Sequence, residues 1–380
     1  MPDFGAFLTD HNVDGLLFVG DSLCNSDIFY LSRFLASDRF ALLVNNGICL
    51  LVSAMEMGRA EKESSADEVL STMHYSMKEK LKITGNFEEA YLHVLKEFLK
   101  DHNVERLGVA SDFPCRIYNY LLNDFQVAMI DSPISRWRAI KDHEEIEAIR
   151  CVQEACQDAM QLAIKLISKA EPVGDNLFWK GEQLTSDRVR GLIEMKLLKK
   201  NCDAIGTIVA GGPQSADPHA QGTGSLPANA PIVIDIFPRS KKTRYFADMT
   251  RTVVRGEVNA EIKDLYDAVF DAQIAGINAI REGVSGKDVH FQVSETFNDR
   301  GYTERYRRGF MHSTGHGIGL DVHERPSLNE AGEILATNNV VTLEPGLYYP
   351  EIGGVRLEDM VVVAEKGCYN LTSFEKRLEI

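Results

Sequence analysis

The seven cysteines of this 380-residue chain, at 24, 49, 115, 151, 156, 202 and 368, are odd in number and include no C-x-x-C pair. That spacing offers neither a disulfide framework nor a thiolate zinc site, so buried free thiols in a reducing compartment are expected. Also missing is any run of about eighteen uncharged residues of the kind that spans a bilayer. The opening MPDFGAFLTDHNVDG has neither the basic region nor the apolar stretch of an export signal. A cytoplasmic protein without a membrane partner is therefore expected. A basic surface is absent too: 41 lysines and arginines stand against 56 aspartates and glutamates, a formal charge of −15. Such a surface repels phosphate backbones, which excludes nucleic acid as the expected partner. No internal repeat and no low-complexity tract interrupts the chain.

What is present suffices for two cores. The length exceeds what one core usually serves, and 44% of the residues are apolar. Short apolar runs at 15–19, 40–44, 48–52, 107–110 and 127–130 predict buried strands. Tyr91, Leu92, Leu95, Phe98 and Leu99 recur at helical spacing and predict an amphipathic helix over a sheet. These elements define a small α/β domain over residues 1–135. Pro133 interrupts regular structure, and Asp142 with Glu145 reads as the capping-box start of a long helix over 144–169. The second domain, 136–380, continues with a Gly- and Pro-rich loop at 210–226 and strands at 232–237 and 246–254. Helices near 262–280 and 287–299 follow, then strands at 340–344 and 355–363.

Several charged residues sit where apolar ones belong. Asp235 ends the strand-like run PIVID, and burying it unpaired would cost several kcal/mol. Asp248 follows thirteen residues later in YFADMTRTVV, so a hairpin around SKKT would set the two carboxylates opposite each other. Two adjacent anions repel unless a cation lies between them. The bland alternative pairs either aspartate with Arg244 or Arg251. The run HSTGHGIGLDVHERP packs His312, His316 and His323 within twelve residues, among glycines that allow close backbone approach. Glu344 in VVTLEPG and Glu358 in GGVRLEDMVVV again interrupt strands, with Arg356 the nearest bland partner for Glu358. Together two aspartates, two glutamates and a histidine make an oxygen-rich, thiolate-free set suited to two divalent ions such as Mn²⁺.

In this order VIDIF, FADMTRT, HSTGHGIGLDVHERP, TLEPGLYY and GGVRLEDMVVV resemble the motifs of the pita-bread metallopeptidases, in particular the proline-specific branch of Xaa-Pro aminopeptidases and prolidases. RWRAIKDHEEIEAIR resembles the start of that family's catalytic domain, and NSDIFYLSRF resembles part of a creatinase-type N-terminal domain. The resemblance implies a mixed α/β (α+β) fold: a small N-terminal α/β domain, then a pita-bread catalytic domain. It implies five metal ligands, Asp235, Asp248, His316, Glu344 and Glu358, with Asp248 and Glu358 bridging two ions, Mn²⁺ first and Co²⁺ or Zn²⁺ as alternatives. The nucleophile it implies is a hydroxide held between the ions. Glu344 would shuttle its proton, and His323 would stabilise the tetrahedral intermediate. His219 is implied to face the substrate, while His312 and Arg356 line the pocket for its proline.

The resemblance is not uniform. The Asp235–Asp248 interval is two residues longer than the family's, an addition that one extra residue on each strand absorbs. Arg244 replaces a common glycine, and the segment 176–201 is long. A peptide with proline in second position is the implied partner, cleaved by an Xaa-Pro aminopeptidase as the first reading and an Xaa-Pro dipeptidase as the second. A non-catalytic peptide- or protein-binding module on the same fold is the alternative of another class; intact ligands stand against it, as they do against creatinase-like chemistry. Methionine aminopeptidases usually lack the N-terminal domain. Homodimerisation is implied by the resemblance alone.

Overall fold

Continuous apolar runs make the first sheet because both of its faces are covered. It has six strands in the order Glu68–Ser71, Ile48–Val52, Phe40–Val44, Gly15–Gly20, Arg106–Val109 and Gln126–Met129. The central pairings are antiparallel and the outer ones parallel. Leu17, Val19, Leu43 and Leu51 pack on one face with the helix Phe87–Asp101. Leu16, Phe18, Leu42 and Leu50 pack on the other. The alternation puts each strand's odd and even residues into separate cores.

The computed structural model describes residues 4–303 and 308–380. It divides into two units, Met1–Trp137 and Arg138–Ile380. Among the described residues no helix is long and apolar enough to cross a membrane.

The second unit opens with the helix His143–Ser168. Asp142 caps it by accepting from the Glu145 N–H, and the Glu145 side chain returns the bond, so the capping box expected from sequence is formed. Ile208–Gly211, Ile232–Ile236 and Met249–Val253 form an antiparallel three-stranded sheet. A five-stranded sheet runs Glu324–Leu328, Gly315–Gly317, Val340–Leu343, Asp359–Ala364 and Gly367–Asn370. The helices Ala260–Ala279 and Gly286–Asp299 supply Val269, Ala272, Val289 and Val293 to the cores beside it.

One expectation about elements needs correction, and two segments left without an assignment gain one. The strand read over 355–363 is two strands, Gly353–Arg356 and Asp359–Ala364, which pair in different sheets. Leu357 and Glu358 leave both ladders because their N–H groups bond elsewhere, to Pro345 O at 3.4 Å and Thr250 O at 3.1 Å. The glycine-rich segment around His316 contains a strand, Gly315–Gly317, too short to show a period. Most of the long segment 176–201 is regular structure, with strands Asn176–Trp179 and Glu182–Gln183 and the helix Ser186–Leu198.

Candidate active site

Nine charged or imidazole side chains singled out in the sequence line one cavity of about 500 Å³: His219, Asp235, Asp248, His312, His316, His323, Glu344, Arg356 and Glu358. Asp235 comes from the Ile232–Ile236 strand, and its register partner is Thr250 rather than Asp248. Asp248 lies two residues before Thr250, so the carboxylates are set diagonally across the pair and not directly opposite. The intervening chain turns at 241–243, and Arg244 takes a left-handed φ of 68°, the conformation that glycine adopts at least cost.

His316 is seated by its neighbours' lack of side chains. A Cβ on Gly315 would lie 2.0 Å from Thr342 O, and one on Gly317 would lie 2.2 Å from Arg325 O. His316 Nδ1 donates to Gly317 O at 3.1 Å, which leaves Nε2 as the acceptor nitrogen. That nitrogen sits 3.4 Å from Glu344 Oε1 and 4.0 Å from Asp248 Oδ2. Burial holds the imidazole neutral, pushing its pKa down to about 3.

The carboxylates are under-satisfied. Asp235 Oδ1, Asp248 Oδ1 and Glu358 Oε1 are buried without a hydrogen-bond partner. Burial, reinforced by Glu358, Asp235 and Glu344, pushes Asp248 well above the usual carboxylate range. Burial with the Glu344 charge does the same to Glu358, and burial pushes Glu344 up to about 8. Ligand atoms of Asp248, His316 and Glu358 lie within 4.8 Å of one another. Three unpaired buried carboxylate oxygens beside a neutral nitrogen lone pair lack one component, a cation. The oxygen-rich donors, with no sulfur among the described lining residues, suit divalent ions of hard or borderline character.

Arg356 is not the partner of Glu358. It donates from Nη2 to Asp235 Oδ2 at 2.7 Å, from Nε to Thr250 Oγ1 at 3.1 Å and from Nη1 to the Tyr348 hydroxyl at 2.8 Å. Thr250 in turn donates to Glu358 Oε2 at 2.9 Å. The bland partners for the aspartates also fail for Arg251, which pairs with Asp359 at 2.8 Å. His219 and His323 are the exposed members, reached from solvent. Arg190, on the Ser186–Leu198 helix, anchors the loop carrying His219 through Gln221 O at 2.5 Å and Gly222 O at 2.6 Å.

Three organising residues escaped the sequence reading. Thr250 links Arg356 to Glu358. Gln273 is buried in the Ala260–Ala279 helix and donates to Leu343 O at 3.2 Å and Leu357 O at 3.1 Å, the carbonyls preceding Glu344 and Glu358. Tyr348 places its hydroxyl between Arg356 and His312 Nε2, the latter at 2.9 Å, while His312 Nδ1 donates to Ser313 O at 2.7 Å. A buried glutamine in a helix was the one available signal. Tyr348→Phe leaves the Arg356 donor and the His312 acceptor unpaired, at about 1–3 kcal/mol each. We expect a thermal midpoint lower by several degrees in calorimetry. An unchanged midpoint would show that the Arg356–Tyr348–His312 chain does not hold this part of the fold.

Residues 147–365 match the profile of metallopeptidase family M24, and residues 3–140 match the creatinase/prolidase N-terminal domain. The Xaa-Pro dipeptidase of Pyrococcus furiosus is 32% identical over 297 residues, which are 77% of this chain and 78% of that protein. Among solved structures, the prolidase of Pyrococcus horikoshii superposes with a TM-score of 0.81 at 26% identity, covering 98% of this chain and 97% of its own. The X-Pro aminopeptidase of Thermotoga maritima gives 0.81 at 26% identity, with 97% and 98% covered. The expected fold class, an N-terminal α/β domain followed by a pita-bread domain, is thus the observed one.

Proposed function

Because the chain belongs to metallopeptidase family M24 and carries a creatinase/prolidase N-terminal domain, we propose that this peptidase, a hydrolase that works with divalent metal ions, is an Xaa-Pro dipeptidase. The observation that carries the reading is the set of unpaired buried oxygens of Asp235, Asp248 and Glu358 around His316 and Glu344. These five residues would hold two ions, Mn²⁺ by preference, with Co²⁺ and Zn²⁺ as chemically competent substitutes. When bound, such ions lower the pKa of water and polarise the scissile carbonyl.

The chain's own groups supply the rest. Glu344, lining the cavity beside His316, would accept the proton of the attacking water as a carboxylate and pass it to the departing proline nitrogen. His323 and His219, on the solvent side of the cavity, donate to the oxygen that gains charge at the carbonyl. His312 has both ring nitrogens engaged, so it offers the substrate its ring face and not a hydrogen bond. That suits packing against a pyrrolidine. Arg356 holds Asp235, and through Tyr348 it holds His312. His323→Ala should leave metal content unchanged and lower kcat by about a hundredfold to a thousandfold, as loss of an oxyanion donor does. A variant of normal kcat would remove His323 from this role.

The order of the two proline-specific activities is reversed relative to the sequence reading, because the relatives with substantial identity include an Xaa-Pro dipeptidase and a prolidase. Aminopeptidase action stays as the second reading on the likeness to the Thermotoga maritima structure. Family membership makes the chain a hydrolase, in place of the binding module weighed from sequence. A cytoplasmic homodimer completes the proposal on the grounds of the sequence reading. The deciding assay compares Ala-Pro with Ala-Pro-Ala on Mn²⁺-loaded enzyme. Release of alanine from Ala-Pro alone supports the dipeptidase; preferential cleavage of the tripeptide overturns it in favour of the aminopeptidase.

A further inference from the structure

The N-terminal unit carries a convergence of ligand types of its own. Cys49 and Glu68 are register partners in the parallel pair Ile48–Val52 and Glu68–Ser71. Paired residues in such a ladder project to the same face of the sheet. The helix Phe87–Asp101 packs on that face, and His102, its C-cap, is delivered over the edge of the sheet. Cys49 Sγ lies 3.5 Å from Glu68 Oε2, and His102 Nε2 lies 3.2 Å from the same oxygen. All three ligand atoms fall within 4.8 Å of one another.

The histidine is oriented as a ligand. His102 Nδ1 donates to Phe98 O at 2.8 Å. In the neutral ring this assigns the lone pair to Nε2, aimed at a carboxylate oxygen that also accepts. Two acceptors at that separation require a proton or a cation between them. Tetrahedral zinc, with Zn–S of about 2.3 Å and Zn–N and Zn–O of about 2.0 Å, separates S from O by about 3.5 Å and N from O by about 3.3 Å. The observed separations match both. Cys49 is buried, Glu68 is exposed, and His102 is half-buried, so the open position faces solvent through Glu68.

We propose that Cys49, Glu68 and His102 form a separate metal site that takes one borderline divalent cation of the zinc type, with solvent as fourth ligand. Thiolate, imidazole and carboxylate together favour Zn²⁺ over the harder ions suited to the catalytic set. Left alone, the buried Cys49 sulfur keeps its proton beside Glu68. Uptake of the ion therefore releases that proton to solvent. The bound ion would tie the edge strand Glu68–Ser71 to the end of the Phe87–Asp101 helix.

Cobalt distinguishes this site from the catalytic one, because only this one offers sulfur. The full-length chelated protein titrated with Co²⁺ should develop a near-ultraviolet sulfur-to-cobalt charge-transfer band. Cys49→Ser should abolish it, and His102→Ala and Glu68→Gln should each weaken Co²⁺ affinity read from that band by about tenfold or more. Asp248→Asn should leave the band intact, and peptide hydrolysis should be unchanged in Cys49→Ser, His102→Ala and Glu68→Gln. Glu68 is exposed, so Glu68→Gln reports even where a change at the buried cysteine disturbs folding. No band in the parent protein, a band that survives Cys49→Ser on another thiol, or an affinity unmoved by Glu68→Gln would each overturn the site.

Discussion

Asp248→Ala and Glu358→Ala will each lower hydrolysis of an Xaa-Pro dipeptide by on the order of a thousandfold or more, since a metal-assisted step draws several kcal/mol from the charge held at such ligands. The effect on stability has the opposite sign in the metal-free protein. Asp248 is buried with its Oδ1 unpaired, and burial and the Glu358 charge already disfavour its ionised form. Replacing it with asparagine keeps the shape and removes the cost of holding that carboxyl protonated at neutral pH. Chelated Asp248→Asn should therefore melt at or above the temperature of the chelated parent, yet gain less from added Mn²⁺. A conventional structural aspartate would show loss in both states. Differential scanning calorimetry with and without Mn²⁺, run beside the kinetic assay, separates the two cases. An active Asp248→Ala enzyme would remove the residue from the catalytic set.

Metal-free protein will lose stability as pH rises from 6.5 to 8. Glu344 has an ordinary value of 4.5 and is pushed up to about 8 by burial in the folded state. Between those values the folded protein binds the proton more tightly than the unfolded chain does. Stability from this group is complete below 4.5 and disappears as pH climbs through 8. Histidines oppose the trend mainly lower down. His312 and His316 are pushed from 6.5 to about 3 by burial, and His323 is lowered for the same reason, so they add stability as pH rises from 3 through 6.5, a contribution that fades over the next pH unit. From 6.5 to 8 the carboxylates therefore set the sign. Each one that titrates there changes stability by roughly 1 kcal/mol per pH unit. The thermal midpoint of chelated protein should fall by a few degrees across that window, and Mn²⁺ should flatten the slope by replacing protons with metal. A midpoint that rises with pH in chelated protein would contradict the assigned cluster.

Local signals were the ones legible in the sequence. Phe40–Val44 and Ile48–Val52 have the bounds expected from their apolar runs, because strands covered on both faces need no alternation to be recognised. The capping box of Asp142 and Glu145 was readable for the same reason: its partners are three residues apart. The charged residues out of place in apolar strands, Asp235, Asp248, Glu344 and Glu358, do reach one cavity with His316. What the sequence concealed is non-local. The break at Leu357 and Glu358 depends on bonds to Pro345 and Thr250, and no pattern within 355–363 marks it. Arg356 reaches across to Asp235, 121 positions away, although Glu358 is its neighbour in sequence. Gln273 and Tyr348 look like ordinary helix and strand residues until the carbonyls, the guanidinium and the imidazole they join are placed around them. Gly315–Gly317 is a strand because the backbones of Thr342 and Arg325 press close, which only packing reveals.

The most direct test follows hydrolysis of Ala-Pro by exhaustively chelated enzyme as Mn²⁺ is returned, for the parent and for Glu358→Gln. The account predicts an inert chelated enzyme, recovery of the parent as Mn²⁺ is bound, and a Glu358→Gln enzyme that stays inert at the same Mn²⁺ concentration. Undiminished hydrolysis by the chelated parent, or full recovery of Glu358→Gln, would contradict it.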